Sequence, residues 1–139
     1  MKSKISLSLA ALAAAGFAAF AAAPVAEAGH HTCSIIGKYD RNRDGKLDVF
    51  EVKRAGKATF KAINKDGDRT LEHAEVRDRV GPKTFDKYNV IKRRGLDRIE
   101  WTRLVKARFY AANRDGDRTI ECDELKTKAG HRLLAVIWY

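Results

Sequence analysis

The chain is poor in the residues that do chemistry. It holds two cysteines, Cys33 and Cys122, and four histidines. It has no Cys-x-x-Cys pair and no Cys/His cluster, which leaves zinc ligation and thiol redox catalysis without workable spacing. There is no nucleophile elbow, no phosphate-cradling glycine loop and no isolated acid/base pair, so no enzyme is expected. Acid is also in deficit: 18 acidic against 28 basic residues give a net charge of +10. Such a surplus implies an anionic partner.

The first residues read as an export leader. Lys2 and Lys4 precede an alanine-rich apolar run from Ile5 to Ala23, and Ala26-Glu27-Ala28 has the small-x-small form of a cleavage site. A cut after Ala28 leaves Gly29–Tyr139, one small domain of 111 residues, periplasmic or secreted. A retained membrane anchor is the competing reading of the same run. Without Lys2, Lys4 and Glu27, 26 basic and 17 acidic side chains still leave +9. An exported cation of this kind suits an anionic envelope surface, and nucleic acid is not expected as a partner. Export also makes a Cys33–Cys122 disulfide plausible, two free buried thiols being the alternative. The new amino terminus, Gly29-His30-His31, would offer Cu(II) or Ni(II) a square-planar nitrogen set ending at His31, against the reading of a solvated tail.

What the chain does have is a repeated oxygen-rich loop. Residues 40–51, DRNRDGKLDVFE, place Asp40, Asn42 and Asp44 at positions 1, 3 and 5, Gly45 at 6, the Lys46 carbonyl at 7, Asp48 at 9 and Glu51 at 12. That spacing wraps six or more oxygens around one hard cation and is the EF-hand calcium signature. Residues 64–75 and 113–124 agree with each other at eight of twelve positions, which makes them a repeat rather than a compositional accident. Their candidate ligands are Asn64, Asp66, Asp68, Thr70 (by its carbonyl), Glu72 and Glu75, and Asn113, Asp115, Asp117, Thr119 (by its carbonyl), Glu121 and Glu124. Both have lost the glycine at position 6, to Arg69 and Arg118, and carry it at position 4 as Gly67 and Gly116. A left-handed backbone at a non-glycine costs about 1–2 kcal/mol, so both sites are expected to be weakened.

A fourth frame fits residues 92–103, KRRGLDRIEWTR, with Ile99 at the apolar position 8. Lys92, Arg94, Leu96 and Arg103 then stand at ligand positions, so this hand is expected to be degenerate. The expected fold is an all-α, compact EF-hand bundle of four helix-loop-helix units, one degenerate, with short β-bridges between paired loops. Apolar stripes mark its helices: Phe50, Ala55, Thr59, Phe60 and Ile63, then Trp101, Leu104, Val105, Phe109 and Ala112 with Arg108 interrupting, then Leu125, Ala129, Leu133, Val136 and Ile137 in a last helix. The aromatics read as core. A single short helix between loops 1 and 2, and another between loops 3 and 4, holds neighbouring loops apart. Gly81-Pro82 breaks the longer connection, so loop 2 is expected to pair with loop 3 and loop 1 with loop 4.

With these loops, the stretches FKAINKDGDRTLEHAEVRDRV and FYAANRDGDRTIECDEL, and the closing helix ELKTKAGHRLLAVI, the chain resembles the lanmodulin group of exported bacterial four-hand proteins. The resemblance implies lanthanide binding in preference to calcium, compaction on binding, and pairing of non-adjacent hands. The chain departs in its basic charge and in Arg41, Lys65 and Arg114 at position 2, where that group has proline. The expected cofactor is therefore Ca2+, bound in the weak range of about 0.1–1 mM, with a lanthanide as the alternative metal. The expected function is that of a non-catalytic, monomeric metal buffer or sensor. The alternative is a basic module for anionic surfaces that retains vestigial hands.

Overall fold

The computed structural model describes residues 28–139 apart from Arg93, with side chains described from Ser34 onward. The expected leader up to Glu27, and the imidazole of His31 with its copper or nickel site, lie outside the described residues. The described chain is mostly helical: α1 (Ala28–Tyr39), α2 (Val49–Ile63), α3 (His73–Val76), α4 (Pro82–Tyr88), α5 (Arg98–Ala112), α6 (Cys122–Leu125) and α7 (Lys128–Ile137). Four very short strands complete it: β1 (Leu47–Asp48), β2 (Thr70–Glu72), β3 (Gly95–Asp97) and β4 (Thr119–Ile120). Among the described residues no helix is long and apolar enough to cross a membrane.

Two helices, α2 and α5, form the centre, and local chemistry explains where each begins and ends. Asp48 accepts hydrogen bonds from the Phe50 and Glu51 N–H groups, and Glu51 reaches back to the Asp48 N–H. Asp97 and Glu100 repeat this capping box at the head of α5. Each cap is worth about 1 kcal/mol, because it satisfies amides that the helix leaves without partners. The helices stop at Asn64 and Asn113, which cap them in extended backbone conformation. A shift of 49 positions carries α2 onto α5 and Asp40 onto Asn89, so the molecule is a duplicated pair of loops.

The stripes pack much as their periodicity implies. Val52, Ala55, Phe60 and Ile63 of α2, and Trp101, Leu104, Val105, Phe109 and Ala112 of α5, are buried. The two helices pack on each other and both meet α7. They come close because Gly56 has no side chain: a Cβ there would lie 2.8 Å from a Val105 methyl. The Trp101 Nε1–H donates to the Gly56 carbonyl at 2.9 Å, and the Phe60 and Trp101 rings meet edge to face. Arg108, the interruption in the stripe, is half-buried and donates to the Arg79 and Arg132 carbonyls. Burial and the nearby Arg132 cation lower its pKa to about 10.

Two expectations about packing are corrected. Phe50 is 71% exposed rather than part of the core, and Tyr110, Trp138 and Tyr139 are also exposed. At the second residue of α2, Phe50 sits beside the cap and points off the buried stripe. The closing helix is two helices, because Thr127 caps α7 by accepting from the Gly130 N–H. The break at Gly81-Pro82 falls where expected, with Pro82 opening α4.

The strands make two sheets of two, β1 with β4 and β2 with β3, both antiparallel. Loop 1 therefore pairs with loop 4 and loop 2 with loop 3, as the connection lengths imply. Leu47 faces Ile120 and Leu71 faces Leu96, all four fully buried. That pairing corrects the register of the third loop. Position 8 is Leu96 rather than Ile99, so the loop is residues 89–100 and not 92–103. Ile99 is 63% exposed, and burial selects the leucine. Twelve residues then separate loop 1 from loop 2 (52–63) and loop 3 from loop 4 (101–112).

Candidate metal centres

Each loop is shaped by its own side chains accepting from its own backbone. In loop 1, Asp40 takes the Arg43 N–H at 2.6 Å and the Gly45 N–H at 2.8 Å. Asn42 takes the Asp44 N–H and Asp44 the Lys46 N–H. Loops 2 and 4 repeat the pattern: Asn64 and Asn113 accept from Gly67 and Gly116, Asp66 and Asp115 from Asp68 and Asp117, and Asp68 and Asp117 from Thr70 and Thr119. These contacts are why short oxygen-bearing residues recur at alternate positions, since each closes a tight local turn.

The glutamate at position 12 ties the loop ends together in all four copies. Glu51, Glu75, Glu100 and Glu124 each accept from the position-2 N–H, of Arg41, Lys65, Val90 and Arg114 respectively. Each also accepts from the position-9 N–H, of Asp48, Glu72, Asp97 and Glu121. Glu51, Glu100 and Glu124 are buried. An ionised carboxylate offers about four lone-pair sites, so these contacts leave acceptor capacity on the same oxygens.

The loops differ in what faces their carboxylates. In loop 2, oxygens of Asp66, Glu72 and Glu75 all lie within 4.8 Å of one another. The Glu72 carboxyl is held above its ordinary range by desolvation and then by the negative charges of Asp66, Asp68 and Glu75. Carboxylates that converge in this way suit a hard cation, which would offset their repulsion. In loop 4 the charge is already met. The Lys46 ammonium crosses from loop 1 to lie 2.6 Å from Glu121 and 3.3 Å from Asp117. Hydrogen bonds from Thr119, and then from Lys46, hold Asp117 below the usual carboxylate range. Hydrogen bonds to Glu121 and then Asp117 hold Lys46 above the usual lysine value.

Loop 3 keeps its shape and loses its ligands. Asn89, Asp97 and Glu100 retain positions 1, 9 and 12, but Ile91 and Arg93 stand at 3 and 5. Lys92, Arg94, Leu96 and Arg103 do not stand together as its ligand set. Gly95, at position 7, is required by contact: a Cβ there would sit 2.2 Å from the Leu71 carbonyl oxygen.

Backbone strain also departs from expectation. Position 4 is left-handed in every loop: Arg43 at φ 61°, Gly67 at 72°, Lys92 at 46° and Gly116 at 76°. Position 6 is left-handed at Gly45 and Arg118 but not at Arg69. The expected cost of a missing glycine therefore falls on loop 4 and spares loop 2. Cys122, at the head of α6, is disulfide-bonded; Cys33, in α1, is the only other cysteine of the chain, and its side chain lies outside the described ones. α1 packs against α6.

Sequence reasoning missed Lys46 as a side-chain partner of loop 4, and it misplaced loop 3. The signal for loop 3 was present in Asp97-Arg-Ile-Glu100, the same capping pattern as Asp48-Val-Phe-Glu51. No protein-family model and no curated protein matches this chain.

Proposed function

We propose that the chain is a non-catalytic binder of hard metal cations, an exported EF-hand protein whose four helix-loop-helix units work as an outer and an inner pair. Calcium is the cation that its oxygen donors suit best, in the weak range of about 0.1–1 mM. Loops 1, 2 and 4 are the metal loops, and loop 3 is the structural partner of loop 2. The observation that carries this reading is the convergence of Asp66, Glu72 and Glu75. Desolvation, and then the charges of Asp66, Asp68 and Glu75, raise the Glu72 pKa there. Loop 1 has the most complete ligand pattern, and in it Lys46 serves twice: its carbonyl is the position-7 donor, while its ammonium neutralises loop 4.

Calorimetry of the mature chain with calcium, alongside Glu51→Ala, Glu75→Ala and Glu124→Ala, tests the assignment loop by loop. The Glu75→Ala change is expected to remove one binding event and leave the fold intact by circular dichroism. An absence of heat and of spectral change with millimolar calcium, and again with micromolar lanthanum, would sink the proposal. A lanthanide-selective reading has one observation in its favour, the crossed pairing of β1 with β4 and β2 with β3, which the lanmodulin resemblance implies. Saturation by lanthanum far below the calcium range would select it.

A further inference from the structure

A groove of about 670 Å³ runs along the junction of α2 and α5. Its walls carry Lys53, Arg54 and Lys57 from one helix and Arg98, Arg103 and Lys106 from the other, with no acidic residue among them. None of the six takes part in an ion pair among the described residues. Lys57 stands four residues from Lys53 and three from Arg54, and Lys106 three from Arg103, so each helix turns a cationic edge toward the groove. Six like charges held along one cleft repel one another and concentrate anions from solution. Between them the floor is apolar, made by Phe60, Ile99 and Trp101.

A second feature is one exposed apolar side chain at the head of each helix. Phe50 and Ile99 occupy corresponding places in the duplicated halves, and both are exposed, at 71% and 63%. The Lys53 ammonium lies 5.5 Å from the centre of the Phe50 ring. Exposed apolar side chains set among cations are the composition of a surface that lies in a membrane interface. A nucleic acid would want a row of exposed ring faces for stacking; Phe50 supplies one, whereas Trp101 is 1% exposed and Ile99 is aliphatic.

We propose that the α2–α5 face docks on a membrane surface rich in acidic phospholipid, with phosphate headgroups among the six cations and Phe50 and Ile99 entering the interface. This binding needs no metal and stands apart from the loops. The test is sedimentation of the full chain, in chelator, with phosphatidylcholine vesicles that lack or contain phosphatidylglycerol. Binding is expected only with the acidic lipid. The triple change Lys53→Gln, Lys57→Gln and Lys106→Gln is expected to weaken it by about a hundredfold, each cation near the surface counting for several-fold to tenfold. The same loss of charge at Lys65, Lys83 and Lys128 is expected to cost only a few-fold, as a net-charge effect. Phe50→Ser with Ile99→Ser, both at exposed positions, keeps the charge and is expected to weaken binding severalfold, which provides a reading even if the triple variant fails to fold. Equal losses from the groove and control variants would overturn the proposal. So would indifference to the acidic lipid, or groove-dependent binding of a single-stranded oligonucleotide without binding to the vesicles.

Discussion

Loops 1 and 4 share one ammonium, while loop 2 faces its partner loop 3 with three converging carboxylates and, among the described residues, no ion pair to Glu72. The two pairs are built alike, with antiparallel strands, a buried aliphatic pair at position 8 and a glutamate tying each loop. They differ at position 7. Loop 1 has Lys46 there, long enough to reach Asp117 and Glu121 across the ladder. Loop 3 has Gly95 at the same place, pressed against the Leu71 backbone. In one architecture, the side chain at position 7 decides whether the neighbouring loop's carboxylates meet a cation from within the protein.

The largest expected effect comes from breaking the inner pair. Gly95→Ala would force a Cβ into the Leu71 carbonyl, separating β2 from β3 and destabilising the fold by about 3 kcal/mol; thermal denaturation reads this directly, and an unchanged Tm would contradict the close approach. Glu100→Ala comes next. It leaves the Val90, Ile91 and Asp97 N–H groups without their acceptor, a loss of about 2–3 kcal/mol. Calcium affinity at loop 2 should survive it, whereas Glu75→Ala should do the reverse, and equal behaviour of the two would erase the distinction between a structural loop and a metal loop.

Lys46→Met sharpens the outer side of the comparison. Removing the ammonium should raise the calcium affinity of loop 4 by severalfold to about tenfold, the scale of exposed ion pairs. Glu124→Ala in the same background should cancel the gain in calorimetry. The smallest effects are those of pH, and their signs are opposed. The Asp117 carboxyl is held low, so its contribution to stability is present above the ordinary carboxylate range and is lost as pH falls through its depressed value. The Glu72 carboxyl is held high, so its protonation on acidification relieves repulsion and favours the folded state. Titration followed by carboxyl NMR shifts should therefore show Glu72 protonating before Asp117. At the alkaline end, the Lys46 contribution persists past the ordinary lysine range and is lost as pH rises through its raised value.

Much of each loop's shape was legible because it closes on contacts within itself. Asp40, Asn42 and Asp44 announce their turns by spacing, and Asp48 with Glu51 marks the helix start that follows. Even the crossed pairing could be read, since a twelve-residue helix cannot bring its own two ends together. The third loop was misread because Leu96 and Ile99 are equally apolar on paper, and only a buried partner at Leu71 tells them apart. Phe50 and Ile99 were illegible for the same reason: each fits a helical pattern, but the cap geometry turns both outward.

Within the chain, residues a few positions apart determined the turns, the caps, the helix ends and the donor sets, because those contacts close over three to ten residues and need no distant partner. Tertiary structure alone decided the rest: that Lys46 meets Asp117, 71 positions away, and Glu121 beyond it, that Leu96 sets the register of loop 3, and that six cations from two helices line one groove. These depend on which backbones approach, and that choice follows from burying the whole apolar set at once.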